Sequence, residues 1–412
     1  MDFRITEEHR RLQERCKHLA ADFATRAAEH DRDASHPLEN YEILRREGFY
    51  ALNVPKDLGG SGIGLLGHTL AFEALAQGCQ ATALAFNMHL SIIGPLMESP
   101  QVSQAVKRRV ADLVVRDKAL IAGNFSETSS TALMGAHTPE SRGKRHPDGG
   151  YDLNGRKMFA SMLSAADYVA AFVYPDDATA PTAGLLVLIP QNAPGRHVDA
   201  NWDTLGMRAT RSDSLIMENC HVDEHAVLLR TDDIRPFRHN ASNWLWGSYT
   251  AVYLGVGVAA YEAVKAVMHN RQPRGFNQSL AHHPDVRRNI AEMSVELEAA
   301  RLMTYHSAWL SDQQGPTPET LAALFRAKYM VGEAVSRITR AALSLGGAHA
   351  LFKTSPLERL FRDGAIAPMQ FPPSDFCLSN IGILELGLDA EDLLPPLKRD
   401  PQKGLTGKRK GA

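Results

Sequence analysis

Apolar positions near the start of the chain recur at helical spacing. Phe3, Leu12, Cys16, Leu19 and Phe23 share one face of a 3.6-residue period, which predicts an amphipathic helix. Residues 41–49 repeat the pattern. A Gly/Pro-rich stretch over 52–62 (LNVPKDLGGSG) then interrupts it as a loop. Residues 65–77, 81–97 and 104–115 read as further helices. Near Leu120 the period changes. Short runs rich in β-branched and aromatic residues (LIAGNFS, GYDLNGRKMFAS, YVAAFVYP, GLLVLIP, SLIMENCHV) alternate with turns, and Asp148-Gly149-Gly150 and Asn154-Gly155 are hairpin signals. From about Thr231 the helical period returns in longer segments, 244–269, 284–312 and 318–345, with a last segment from 352 to 362. Long helices on short connections predict a four-helix bundle. The expected class is α+β: an N-terminal helical domain over 1–121, a central β-barrel or sandwich over 122–231, and a C-terminal helical bundle over 232–394. The basic tail, 395–412, carries no apolar pattern and is expected to be disordered.

Composition narrows the function without naming it. The chain has 412 residues, 44% of them hydrophobic and 22% charged, and a formal net charge of −2, so no global field draws it to nucleic acid or to a membrane surface. The four cysteines, Cys16, Cys79, Cys220 and Cys377, form no CxxC pair, so neither a zinc knuckle nor a redox motif is expected, and a reduced, cytoplasmic protein is the simplest reading. No bound metal is expected. The longest apolar run, 251–261, is shorter than the roughly 20 residues that span a bilayer.

Five local motifs lie in a fixed order. Asn124-Phe125-Ser126-Glu127 ends the first strand-like run. Gly155-Arg156-Lys157-Met158-Phe159-Ala160-Ser161 follows, then Leu205-Gly206-Met207-Arg208-Ala209-Thr210-Arg211-Ser212. Arg271-Gln272-Pro273-Arg274-Gly275-Phe276-Asn277 closes the first long helix of the bundle. Gly346-Gly347 and Glu358-Arg359-Leu360-Phe361-Arg362-Asp363 follow the third. Together they resemble the acyl-CoA dehydrogenase family over roughly residues 1–390. The resemblance implies FAD bound between β domain and bundle, at a dimer interface of a homodimer or homotetramer. It implies an acyl thioester of coenzyme A or a carrier protein as substrate, and an electron-transfer flavoprotein as acceptor. It places Ser126, Phe159 and Ser161 against the flavin ring, with the Ser161 hydroxyl able to donate to a ring nitrogen. Arg271 and Arg274 compete for the pyrophosphate, beside Phe276, Gly346 and Gly347. Arg208, Ser212 and Trp246 fall on the substrate side. The chain departs from the family at Thr128–Leu133 (TSSTAL), where Gly-Ser-Asp is usual, at Asn277 for a glycine, and at Leu343 for a glutamine.

The largest departure concerns the base. Removing an α-proton uses a positioned carboxylate. Counting from Arg362-Asp363 puts Phe371 at the family's glutamate, and the alternative place on the long helix, 246–248, holds Trp-Gly-Ser. Asp375 is the nearest carboxylate and serves either as base or as the cap of the last helix. His89, His239 and His349 are further candidates. Three functions remain open: acyl-thioester dehydrogenation with a non-standard base, flavin-dependent monooxygenation or oxidation on the same fold, and a catalytically inactive flavoprotein or acyl-binding protein.

Overall fold

The structure is a computed structural model; it describes residues 4–127 and 139–388. The TSSTAL departure and the basic tail lie outside the described residues. Helix α1 (Glu7–Asp33) opens with a capping box, in which Thr6 and His9 satisfy each other's backbone N–H groups. It buries Leu12, Cys16, Phe23 and Ala27, the face its sequence period announces. Helices α2 (Leu38–Arg46), α3 (Leu65–Gly78), α4 (Gln80–Glu98) and α5 (Gln104–Val115) complete the first helical part. Helix α4 is buried along nearly its whole length, because it lies between the sheet and the bundle.

Among the described residues eight strands form one sheet: β1 (Ile121–Asn124), β2 (Arg142–Arg145), β3 (Tyr151–Ala160), β4 (Tyr168–Pro175), β5 (Gly184–Pro190), β6 (Arg196–Asp199), β7 (Asp213–Val222) and β8 (Val227–Thr231). The order is β6-β7-β3-β2-β4-β5-β8, with β1 parallel to β4 off this path. Asp148-Gly149-Gly150 is the turn of the β2–β3 hairpin, with both glycines at positive φ. Asn154-Gly155 is not a hairpin. It sits inside β3, where a Cβ on Gly155 would lie 2.5 Å from Ser141 Oγ, so the glycine marks close contact with the segment leading into β2 rather than a reversal.

Helices α6 (Arg235–Asn270), α7 (Pro284–Gln314), α8 (Pro318–Gly346) and α10 (Ser374–Leu386), with the short α9 (Pro356–Ala365), build the C-terminal part. Helix α6 is long and apolar enough to cross a membrane by length and composition, yet it packs against α3, α4, α7, α8 and α9 at the centre of the molecule. The two helical parts are joined by polar contacts as well as apolar ones. Asp312 of α7 accepts from Leu65 N and Leu66 N at 2.7 and 2.9 Å, capping α3 from outside. Arg301 and Tyr305 bond the buried Glu73 of α3.

Candidate active site

One cavity of about 360 Å³ opens where α4, α6, β3 and the loop after α9 meet. This lies within the ordinary range for a small-molecule site. Leu84 and Met88 of α4 and Leu245 and Tyr249 of α6 supply an apolar wall. The end of β1 contributes Gly123, Phe125, Ser126 and Glu127. An isolated bridge fixes that segment to β3: Met158 N donates to Ser126 O at 3.0 Å.

Phe159 and Ser161 reach the cavity because β3 breaks its register between Lys157 and Ala160. Phe159 takes φ +59, and its ring is thrown outward, 55% exposed, edge-on to Trp202. Met207, also on the lining, is left-handed too, as are Met162 and Arg211 close by in the chain. On the other side of the same break, Lys157 points inward. Its ammonium meets Glu127 Oε1 at 2.6 Å with both side chains fully buried. Glu140 N and Ser141 N also donate to that carboxylate, at 2.6 and 3.1 Å. Burial alone would raise Glu127, but Lys157 and the amides outweigh it and hold it below the usual carboxylate range. Burial pulls Lys157 downward. The short contact and the two amide donors fix the pair as ionised.

Three hydroxyls run in series from the cavity. Ser161 Oγ lies 2.7 Å from Ser212 Oγ, which lies 2.8 Å from Thr210 Oγ1, which donates to Met207 O at 2.8 Å. A carbonyl only accepts, so in this arrangement Thr210 spends its proton on Met207, Ser212 on Thr210 and Ser161 on Ser212. Ser161 then offers lone pairs to the cavity, the reverse of the donor role expected from the sequence. Turning the chain round makes Ser161 the donor. That costs little, because Met207 O keeps Trp202 Nε1 at 3.2 Å and Thr210 N at 3.1 Å.

The loop carrying Ile366, Met369, Gln370 and Phe371 closes the cavity. Phe371 lines it, backed edge-on by Trp246 and tilted against Phe376. Lys328 of α8 holds this loop from behind, donating to Ala367 O at 2.9 Å. Tyr253 donates to Gln370 Oε1 at 3.3 Å.

Several expectations are corrected. Trp246 does not line the cavity; it is buried behind Phe371, stacked on Phe325, and its Nε1 has no partner. Arg208 does not line this cavity. Its Nε donates to Asp31 O at 2.9 Å and its Nη1 to Thr204 O at 3.3 Å, tying the loop to the end of α1. Asp375 is exposed in the first turn of α10, outside the cavity, where a carboxylate favours the helix N-terminus. His89 has both ring nitrogens occupied by backbone, Tyr50 O at 2.9 Å and Ile121 N at 3.0 Å, and burial brings it down to about 4. His239 and His349 do not line this cavity: His239 faces a separate hollow beside Asp233 and Asp312, and His349 is exposed beside Phe352.

The Glu358–Asp363 motif is a clasp rather than a ligand site. Arg362 is bidentate to Asp31 at 3.0 and 2.5 Å, pairs with Glu358 at 2.7 Å, and donates to Leu205 O at 3.1 Å. Asp363 is buried and accepts from Met207 N at 2.6 Å; burial pushes it up to about 6. Gly206 permits this approach, since a Cβ there would sit 2.6 Å from Arg362 O.

Ser126, Phe159, Ser161, Ser212 and Phe371 therefore surround one cavity. Arg271, Gly346 and Gly347 form a second group: Arg271 Nη1 donates to Gly346 O at 3.3 Å, and a Cβ on Gly347 would meet the same nitrogen at 3.5 Å. Arg274 and Phe276 are exposed on the adjoining loop. Trp202, Tyr249 and Gln370 lie outside the motifs legible in the sequence, and Thr210, Glu127 and Lys157 lie inside them without an assigned role.

Residues 6–113 match the model of the acyl-CoA dehydrogenase N-terminal domain, and residues 248–369 that of the C-terminal domain. The chain is 32% identical over 372 residues to a putative acyl-CoA dehydrogenase, YdbM, of Bacillus subtilis, covering 90% of this chain and 94% of that one. Among solved structures, butyryl-CoA dehydrogenase from Megasphaera elsdenii superposes with a TM-score of 0.83 at 22% identity, covering 94% of this chain and 100% of that one. FMN-bound TdsC from Paenibacillus sp. A11-2 gives 0.83 at 21% identity, covering 92% and 97%. At these identities the two structures speak for the fold alone.

Proposed function

The chain belongs to the acyl-CoA dehydrogenase family, and from that premise we propose that it oxidises the acyl part of a thioester, carried by coenzyme A or a carrier protein, in the cavity between α4, α6 and β3. It is a flavoprotein oxidoreductase, and the family's cofactor is FAD. The residues present suit that group. Ser126 and Ser161 offer hydroxyls at the cavity and Phe159 an exposed ring, while Arg271 beside the bare backbone of Gly346 and Gly347 suits a diphosphate. When bound, FAD supplies a two-electron acceptor.

The observation that carries the reading is the mixed lining: apolar side chains of α4 and α6 together with the Ser161–Ser212–Thr210 hydroxyl chain. Leu84, Met88 and Leu245 exclude water from an acyl chain, and the reversible hydroxyl chain lets Ser161 hold either an acceptor or an N–H. Phe371 stands where a base is usual, and its ring takes no proton. A missing general base lowers turnover by about 10²–10⁴.

One observation favours a second reading, flavin-dependent monooxygenation or oxidation. Glu127, the carboxylate of the described lining, is already engaged by Lys157 and two amides. Anaerobic mixing of the FAD-loaded protein with acyl-CoA thioesters of graded length separates the two. Bleaching of the flavin supports dehydrogenation. No bleaching, with oxygen-dependent product from the reduced protein, replaces it by the second reading. A homo-oligomer completing the Arg271 face and an electron-transfer flavoprotein as acceptor belong to the same proposal. Light scattering tests the first, and reduction of that partner during turnover tests the second.

A further inference from the structure

A cluster on the β part of the molecule has no place in the reaction above. His146, Asp152 and His221 bring one ligand atom each within 4.8 Å of one another. We propose that they form a binding site for a first-row divalent cation, with Zn²⁺ the best match to two imidazoles and a carboxylate.

The backbone sets up the cluster. Asp152 of β3 and His221 of β7 are directly opposite in the antiparallel register. His146 follows β2, held by His146 N to Gly150 O at 3.2 Å and Gly149 N to His146 O at 3.1 Å. Two adjacent strands and the hairpin turn beside them thus present the groups, so the sheet fixes the Asp152–His221 spacing and the turn's hydrogen bonds hold His146 next to it. His221 Nδ1 lies 3.1 Å from Asp152 Oδ1. Two ligands about 2.0–2.2 Å from a tetrahedral ion stand roughly 3.3 Å apart, so this pair is already at the working separation. The rings of His146 and His221 meet edge to face with centroids 4.6 Å apart.

A second feature points the same way. The other nitrogen of His221, Nε2, lies 3.7 Å from Asp223 Oδ1. A ligating histidine ordinarily gives its remaining N–H to a carboxylate, which fixes the ring and its tautomer. Asp223 is the carboxylate beside that nitrogen, at an ion-pair distance that a small turn of its exposed side chain would close to a hydrogen bond. Asp152 and Phe159 are seven positions apart on β3, on the order of 20 Å along the strand, so the ion would not touch the reaction cavity. It would pin β2, β3 and β7 together at the end of the sheet that the β2–β3 turn closes.

The test is direct titration of the chelator-treated, flavin-loaded protein with Zn²⁺ by calorimetry and with Co²⁺ by absorption. One equivalent, a tetrahedral Co²⁺ spectrum and a rise in Tm with Zn²⁺ are expected. Asp152→Asn and His221→Gln should each abolish the Co²⁺ spectrum. Asp223→Asn should weaken binding about 10–100-fold while keeping it. Flavin content and turnover should be unchanged in all three. Binding that survives Asp152→Asn and His221→Gln unaltered, or no saturable binding by the parent protein, overturns the proposal and leaves a cross-strand His–Asp pair. If a variant fails to fold, His146→Gln at the turn provides the same readout with the Asp152–His221 pair intact.

Discussion

Lys157→Met is the most informative single change, because it removes one half of a pair whose side chains are both fully buried. The thioether fills much the same volume, so little of the effect comes from a cavity. What remains is the Glu127 carboxylate with its amide donors from Glu140 and Ser141 but without its cation. Breaking a buried pair in this way costs about 3–5 kcal/mol, a large part of the margin of an ordinary domain. The pH dependence identifies the cause. In the parent, Glu127 sits below its unfolded value, so its stabilisation is present above the unfolded pKa and is lost as pH falls through the folded one. In the variant, burial acts unopposed by Lys157 and raises Glu127. The variant then loses stability as pH rises through the carboxylate range, and the gap to the parent narrows in acid. Urea unfolding at several pH values measures both. The double variant Glu127→Gln/Lys157→Met should recover most of the loss. A loss below about 1 kcal/mol, or a double variant no better than the single, would refute the reasoning, since neither fits a buried carboxylate that has lost its cation.

Other outcomes follow from the same structure. Phe371→Glu puts a carboxylate on the cavity wall and should raise α-proton exchange of a bound acyl thioester, up to about 10²–10⁴-fold; exchange measured by deuterium washout that stays at the parent level counts against dehydrogenation in this cavity. Asp363→Asn keeps an acceptor for Met207 N but removes a buried acid held at about 6. The parent loses stability as pH rises from its unfolded value towards about 6, and the variant should lack that slope and be at least as stable at neutral pH. Burial brings Lys328 from its ordinary 10.5 to about 8, so parent stability should rise between those values by about 3 kcal/mol. Thermal unfolding of Lys328→Met should be flat across that window.

The alternation of periods along the chain was enough to read helices, strands and helices in order, because burial on one face leaves a 3.6- or 2-residue trace. Part of the cavity lining was legible too: Ser126, Phe159, Ser161 and Ser212 sit in motifs, and Phe371 sits at a place counted from Arg362-Asp363. What escaped was side-chain direction. Arg208 looked like a substrate contact, but its partner is Asp31, 177 positions away, and no local pattern reports that. Trp246 faces Phe371 instead of the cavity because of how α6 is rotated against α8, a matter of packing between helices. Phe159 reaches the opening through a left-handed residue in a strand whose sequence predicts plain alternation. Asp375 was judged by its distance along the chain, whereas the loop before it turns its carboxylate to the outside.

The clasp that joins Arg362 to Asp31 bridges 331 positions. At about 5–20 residues per second of synthesis, the end of α1 leaves the ribosome tens of seconds before the residue that will secure it exists. The Leu205–Ser212 loop waits as well, since Leu205 O and Met207 N both take their partners from α9. The growing chain can thus complete helices and sheet in advance, but the wall of its reaction chamber forms only once α9 has been made. A nascent chain stopped before α9 would carry its β sheet beside a Leu205–Ser212 loop that lacks the partners securing it.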